Sequence, residues 1–441
     1  MDFRKYRKHS RYIFQHALRA ANPYSCVSHK FICTENILKL EKKTYDLNNY
    51  NKIYVIAFGK ASTEMASAVE DSLGDYISEG IVISNHDMKS KFKKLNYLRS
   101  SHPIPDEKSV IAAKDVIKIL EKSNNNDLVI FLISGGGSSM LALPAAGLSL
   151  HDKRNVTELL LKSGVDTNGL NTVRKHISQI KGGGLLKKAL PSEVITLVLS
   201  DVVGDKLDAI ASGPTVPDET TFEECWKVIE ALRLENRIPP QVTLHLERGN
   251  LGEIPDTLKQ EDYDHKKVET LIVGNNLKSL VAAKQKAKEL GYHSLLLSSQ
   301  MNGEAREVAK VMSSIALEIE RYNIPLKKPA CLIFGGEATV TVTGSGKGGR
   351  NTETSLSFAM EIIGRNIVGL FCGTDGVDGP TDAAGAICDG KTRSRARNNN
   401  ISAREYLTNN DSYNYFEHLG DLIKTGPTGT NVMDLGIILI P

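Results

Sequence analysis

The chain has 441 residues, 41% hydrophobic and 24% charged, enough length and an ordinary enough composition for two globular domains with sizeable cores. Lys and Arg outnumber Asp and Glu by 55 to 52, and a net charge of +3 is too small to imply a nucleic-acid or membrane surface. No apolar run reaches the ~20 residues of a membrane-spanning helix, and six cysteines without a CxxC pair, three of them (Cys331, Cys372, Cys388) in or beside apolar runs, read as buried thiols of a reducing compartment.

In the basic N-terminus, Tyr12-Ile13, His16-Ala17-Leu18 and Ala20-Ala21 recur at helical spacing and stop at Asn22-Pro23. This predicts a first amphipathic helix of the fold rather than a targeting segment. Short apolar runs then alternate with helical periods. IYVIAF (53–58) predicts a strand and 61–73 a helix; GIVIS (80–84) predicts a strand followed by a helix over 106–121; LVIFLI (128–133) and EVITLVLS (193–200) predict two more strands. Strands this uniformly apolar, separated by helices, imply a largely parallel sheet covered on both faces. A helical block fills about 151–190. The rhythm breaks over 236–266, a polar stretch with prolines, which predicts a junction between an N-terminal α/β domain (1–235) and a C-terminal α/β domain (267–441). It resumes with ETLIVG (269–274), HSLLLS (293–298), a helix over 303–321, ACLIF (330–334), NIVGLFC (366–372) and LGIILI (435–440). The alternating ATVTV (338–342) predicts a β-hairpin with ACLIF, and KTRSRARNNN (391–400) reads as a solvated loop lacking the interleaved aromatics of a nucleic-acid contact. The fold class is α/β: two domains, each a mostly parallel sheet with flanking helices.

Ligands of open α/β sheets sit beyond the carboxyl ends of the strands, and there the glycine-rich and acidic turns of this sequence cluster. Lys60, in FGKA after the first strand, opposes the dipole of the helix it opens, which makes sense where an anion shares the site. In LISGGGSSML, Ser134, Gly135, Gly136, Gly137, Ser138 and Ser139 offer bare amides and hydroxyls suited to phosphate or carboxylate. In LSDVVGD, Asp201 or Asp205 suits Mg²⁺ held near substrate phosphates. The turn with Gly344, Lys347, Arg350 and Asn351 matches G-x-G-x-x-G, and Asp375 lies about where a ribose-binding acid would, so a dinucleotide fold has a case. The flanking Lys and Arg favour grasping phosphoryl oxygens instead. Asp375, Asp378 and Asp382, in turn chemistry, could take a metal or accept hydroxyl protons. EF-hand spacing, HExxH, Walker A and GxSxG are all missing.

FGKAS, SHPIPDEKS, LISGGGSSML, NTVRKHISQIKGGGL, LSDVVGD, SGPTVPD, GGEATVTVTGSGKGGRNTE, GTDGVDGPTDAAGA and GPTGTN follow in this order, and together they resemble the class II glycerate 2-kinases, whose C-terminal part is the MOFRL domain. The resemblance runs from roughly residue 10 to the C-terminus. It implies ATP-dependent phosphorylation of D-glycerate to 2-phosphoglycerate with Mg²⁺ or another divalent cation, a Rossmann-like first domain, and an active site in the cleft between the domains. Lys60 and Arg350 match the family's key cations and are expected to be catalytic and substrate-binding. Asp201 matches its key acid, with Asp205 beside it as a metal ligand. The 134–139 turn, Lys347 and Asn351 are expected on nucleotide phosphates, and Asp375 and Asp378 on substrate. Where relatives often have Arg-Gly-Gly-Arg-Asn-Gln, this chain has Lys347-Gly348-Gly349-Arg350-Asn351-Thr352, which keeps the charge. With the cysteine usage, the family implies a cytoplasmic enzyme of small molecules with no nucleic-acid or membrane partner, and a homo-oligomer is compatible with it. Some relatives carry the label hydroxypyruvate reductase, so an NAD(P)-dependent reductase is the alternative.

Overall fold

The apolar runs become strands in two separate units of the computed structural model, which describes residues 2–87 and 91–441. One unit is Pro23–Val273; the other joins Met1–Asn22 to Gly274–Pro441.

The Pro23–Val273 unit opens with an antiparallel meander of four-residue strands, β1 (Phe31–Thr34), β2 (Ile37–Leu40) and β3 (Lys43–Asp46). Its main sheet holds β4 (Ile53–Phe58), β5 (Glu79–Ser84), β6 (Asn96–Arg99), β7 (Leu128–Ser134), β8 (Glu193–Leu199) and β9 (Val268–Gly274), in the order β6-β5-β4-β7-β8-β9. The pairings from β6 to β8 are all parallel. Every residue of β4 and β7 is buried, as a sheet covered on both faces requires. Ala112, Ala113 and Val116 of the helix Glu107–Leu120 pack onto Ile56, Phe58 and Phe131. Register aligns Phe58 with Ile83 and Ile133, and Ser134 with Leu199, so the turns after β4, β7 and β8 emerge at one edge. The chain runs outward from β4 to β6 on one side and from β7 to β9 on the other. The strand order therefore reverses between β4 and β7, where an open sheet leaves its crevice.

The expected junction at 236–266 belongs to this unit. Pro239 is the N-cap and Pro240 the first residue of a helix, Pro240–Asn250; a missing N–H costs nothing at that position, so the prolines start an element rather than end one. Val242 and Leu246 of that helix join Val156, Val173, Phe222 and Ile229 in a second apolar cluster built from the helical block.

The other unit holds β10 (His293–Met301), β11 (Ala330–Gly336), β12 (Val368–Gly373), β13 (Gly385–Asp389), β14 (Leu422–Ile423) and β15 (Asp434–Ile440), in the order β10-β11-β15-β12-β13-β14. The α/β class holds, but this sheet is mixed: only β10 and β11 pair in parallel, because the last strand returns between β11 and β12, antiparallel to both. Both edges of β11 are thereby occupied, which leaves no place for the expected hairpin at 338–342. That segment is held instead by a single bridge from Thr339 to Glu304 and by the Glu304 carboxylate on the Thr341 N–H. The predicted first helix, Phe3–Ala20, buries Ile13, Phe14 and Ala17 against Leu280, Leu370 and Ile437, which is why this unit is discontinuous in sequence. The expected loop at 391–400 contains a helix, Thr392–Asn398, with Thr392 and Ala396 buried and Arg395 paired to Asp421. The six cysteines are free thiols, five of them buried. No helix among the described residues is long and apolar enough to cross a membrane.

Candidate active site

In the Pro23–Val273 unit the turns after β4 and β7 are tied together at the point where strand order reverses. The Lys60 N–H donates to Gly135 O (2.9 Å), and the Ala61 N–H donates to Ser134 Oγ (3.0 Å). The buried Ser134 hydroxyl is thus a bracket between two turns, not a group facing a ligand. Asp201, after β8, closes the third side. A Cβ added to Gly135 would stand 1.9 Å from Asp201 Oδ2, so the glycine is there because a carboxylate occupies the space a side chain would need. Gly136 adopts φ +79° and lies against the His102 ring of the SHPIPD segment. Burial, reinforced by the Lys60 charge and by His86, pushes the His102 pKa down to about 4, so a neutral imidazole flanks the lysine at physiological pH.

The helix after the second turn is a single turn, Gly137–Met140. Its dipole is slight, and the charge at this turn comes from side chains. Ser138 Oγ accepts from the Arg174 guanidinium and from Lys181 Nζ (2.7 Å), and lies 3.1 Å from Ser212 Oγ. Ser212 in turn donates to Asn171 (3.1 Å). Ala211 and Ser212 both adopt positive φ, 51° and 63°, a conformation costing roughly 1 kcal/mol or more per non-glycine residue and concentrated at functional turns. Ser139 donates back to Gly136 O and caps its own turn.

In the other unit, Arg350 opens the helix Arg350–Glu361 beside the ends of β11 and β12. Its Nε and one terminal nitrogen grip Asp434, the first residue of β15, and the other terminal nitrogen meets Glu337 at 2.8 Å. Those bonds use three of the five guanidinium N–H groups and leave two for a ligand. Asp378 is 1% exposed. Its carboxylate accepts from the Asn351 N–H (2.9 Å), the Thr352 N–H (2.8 Å) and the Thr352 hydroxyl (2.8 Å), capping the Arg350 helix from outside it. The Asn351 side-chain NH2 donates to Asp434 (2.9 Å) and Asp378 (3.3 Å). These bonds hold the start of the Arg350 helix, and Asn351 lines a pocket beside Arg350 and Asp434. Lys347 Nζ lies 4.0 Å from the Tyr413 ring centre, while Asp375 is half-buried at the end of β12. The G-x-G-x-x-G at 344–349 follows no strand, and a Cβ on Gly344 or Gly346 would strike the chain's own Asn409 or Asp411. Its glycines accommodate protein rather than a pyrophosphate, and the dinucleotide reading loses its structural context.

Against known proteins, residues 9–247 match the family described as Domain of unknown function (DUF4147), and residues 330–434 match the MOFRL family. The chain is 41% identical to a glycerate 2-kinase of Pyrococcus horikoshii, over 96% of this chain and 95% of that one. It is 42% identical to a D-glycerate 2-kinase of Thermotoga maritima, over 90% and 93%. The crystal structure of a Thermotoga maritima glycerate kinase superposes with a TM-score of 0.87 at 38% identity, covering 99% of this chain and 100% of that one.

This chain belongs to the MOFRL-domain glycerate kinase family.

Several polar residues at these glycerate kinase turns are given no role of their own by the sequence: Arg174, Lys181, Glu337 and Asp434; Ser212 lies in the small, donor-rich turn 211–215. The first two lie in NTVRKHISQIKGGGL, a stretch that contributes to the family resemblance but whose spacing matches no catalytic pattern; Asp434 begins an apolar strand and is indistinguishable from a cap. Among the described residues no group of three or more His, Cys, Asp or Glu could hold a metal by itself. A Mg²⁺ carried on nucleotide phosphates needs only one or two protein carboxylates, and the Asp201 carboxylate at the Gly135 turn fits that need. Gly135→Ala is expected to displace Asp201 by an ångström or more and lower kcat on the order of 10²-fold with the melting temperature nearly kept; steady-state kinetics beside a thermal melt checks it.

Proposed function

We propose that this chain is an ATP-dependent glycerate 2-kinase, converting D-glycerate to 2-phosphoglycerate with release of ADP. The observation that carries the reading is the convergence of Lys60, Gly135 and the Asp201 carboxylate at the reversal point of a parallel sheet, in a chain whose relatives are named glycerate 2-kinases.

In this transfer the 2-hydroxyl oxygen attacks the γ-phosphorus of ATP, the bond to the β–γ bridging oxygen breaks with ADP leaving, and the hydroxyl proton passes to a nearby carboxylate or to water. Positioning and charge neutralisation dominate such chemistry. Lys60 and Arg350 serve it as fixed cations, one on the glycerate carboxylate and the other on the transferring phosphoryl group. Arg350 is pre-aimed by its clamp on Asp434 and Glu337. Asp201 positions the 2-hydroxyl or, with Asp205, would hold Mg²⁺, which would supply neutralisation of phosphate charge. The Gly135–Gly137 amides face phosphate, with Lys347 and Asp375 at the second cationic turn. The enzyme is assigned to the cytoplasm on its free cysteines.

A coupled assay of ADP release tests the reading. ADP is expected only when D-glycerate, ATP and a divalent cation are all present. Oxidation of a nicotinamide cofactor by hydroxypyruvate, with no need for ATP, would instead establish the reductase.

A further inference from the structure

Three cations stand together behind the second turn. Lys181 Nζ donates to Ser138 O (2.8 Å) as well as to Ser138 Oγ (2.7 Å), which also accepts from Arg174. Lys153 donates only to the carbonyls of Arg174 (3.3 Å) and Ile177 (3.4 Å). Lys153 and Lys181 are 3% and 2% exposed. Among the described residues, no carboxylate pairs with any of the three, and Arg174 Nε is buried with no hydrogen-bond partner. Lys175 shows what the same helix does when a buried cation is purely structural: equally enclosed, it is met by Asp218 at 3.0 Å and Asp208 at 3.2 Å.

Enclosing like charges without a counterion is costly. Burial first, and then mutual repulsion with Arg174, pushes the Lys153 and Lys181 ammonium groups well below their ordinary range. A fold keeps such a cluster against its own stability where something else supplies the negative charge. The hydroxyls of Ser138 and Ser212 and the Asn171 amide add neutral hydrogen-bonding groups around it.

We propose that the buried Lys181 and the half-buried Arg174, with the Ser138 hydroxyl between them, form a seat for a small oxyanion. The proposal deepens the kinase reading, since the anion is then the glycerate carboxylate or a phosphate of the nucleotide, and Arg174 offers a guanidinium fork that suits either. Lys153 supports the seat electrostatically without touching the anion.

Thermal melts of the full-length protein with inorganic phosphate, D-glycerate or ATP, each alone, test it. Wild type is expected to be stabilised by phosphate and by at least one substrate. Lys181→Met is expected to melt no lower than wild type when ligand-free, because it removes an uncompensated buried charge, and to need at least tenfold more ligand for the same shift. Ser138→Ala, a smaller change, is expected to weaken the same shifts and covers the case in which Lys181→Met does not fold. Loss of the glycerate shift places the carboxylate in the seat; loss of the ATP shift places a phosphate there. A wild-type melt that none of the three ligands moves, or variants that keep every shift, would overturn the seat. The phosphate arm needs no turnover, so an inactive enzyme that still shows it would count against the kinase reading and not against the seat.

Discussion

Lys60→Ala is expected to lower kcat/KM for glycerate phosphorylation by about 10²–10³-fold, the scale of losing one preorganised transition-state donor, with a melting temperature close to that of wild type. Lys60 projects from a turn whose bonds to Gly135 and Ser134 are made by backbone N–H groups, which alanine keeps. Arg350→Ala should lose a similar factor but also destabilise, because Asp434 and Glu337 lose their cation. Burial already pushes the Glu337 carboxyl upward, with the Arg350 charge opposing that. Arg350→Lys separates the two effects. A lysine keeps a charge near both acids but cannot fork onto Asp434, so most of the stability should return while most of the rate loss persists. Near-normal rates in both alanine variants would remove these residues from the reaction.

The second large effect is on stability. Asp378→Ala is expected to cost roughly 3–5 kcal/mol, because it leaves the Asn351 and Thr352 backbone N–H groups enclosed without their acceptor. For a unit of this size that is a fall in melting temperature on the order of 10 °C. Asp378→Asn exposes a pH dependence. Burial raises the Asp378 pKa from 3.8 to about 6, against the pull of the Asn351 and Thr352 N–H groups, and the Asp434 charge adds to the rise. The folded protein therefore holds this proton to higher pH than the unfolded chain does. Between about 4 and 6 the native state binds more protons, so the contribution of Asp378 to stability is complete below that window and falls as pH rises through it. Asparagine has no such titration. The deficit of Asp378→Asn relative to wild type should accordingly shrink by roughly 2 kcal/mol between pH 4 and pH 7, measured by denaturant unfolding at each pH; a deficit that grows over that interval would show that Asp378 is not held in its raised state.

The parallel sheet around Lys60 was legible because each strand is an unbroken apolar run, and IYVIAF matches β4 residue for residue. The meander β1–β3 escaped notice because its two tight turns place Glu35 and Glu41 at positive φ, where a glycine would have signalled the bend. Prolines at 239 and 240 suggested a break and instead start a helix. The alternation at 338–342 has the right period for a strand, but strand pairing is decided by which edges of β11 remain open, and β15, almost a hundred residues downstream, takes one of them. A longer separation, from Asn22 to Gly274, hid the connection of the first helix to the sheet it packs on. At the site, Lys60, Asp201 and Arg350 announce themselves as charges in glycine-rich turns. Arg174, Lys181 and Asp434 acquire their meaning only from what the fold puts beside them. Asp378 and Asn351 show another role that only the fold makes visible, hydrogen bonds that hold the start of the Arg350 helix in place.

The most direct measurement is phosphorus NMR of the product after the purified protein has been incubated with D-glycerate, ATP and Mg²⁺. Resonances of ADP and 2-phosphoglycerate in equal amounts are expected; 3-phosphoglycerate, or ATP left intact while hydroxypyruvate is reduced by a nicotinamide cofactor, would rule out a glycerate 2-kinase.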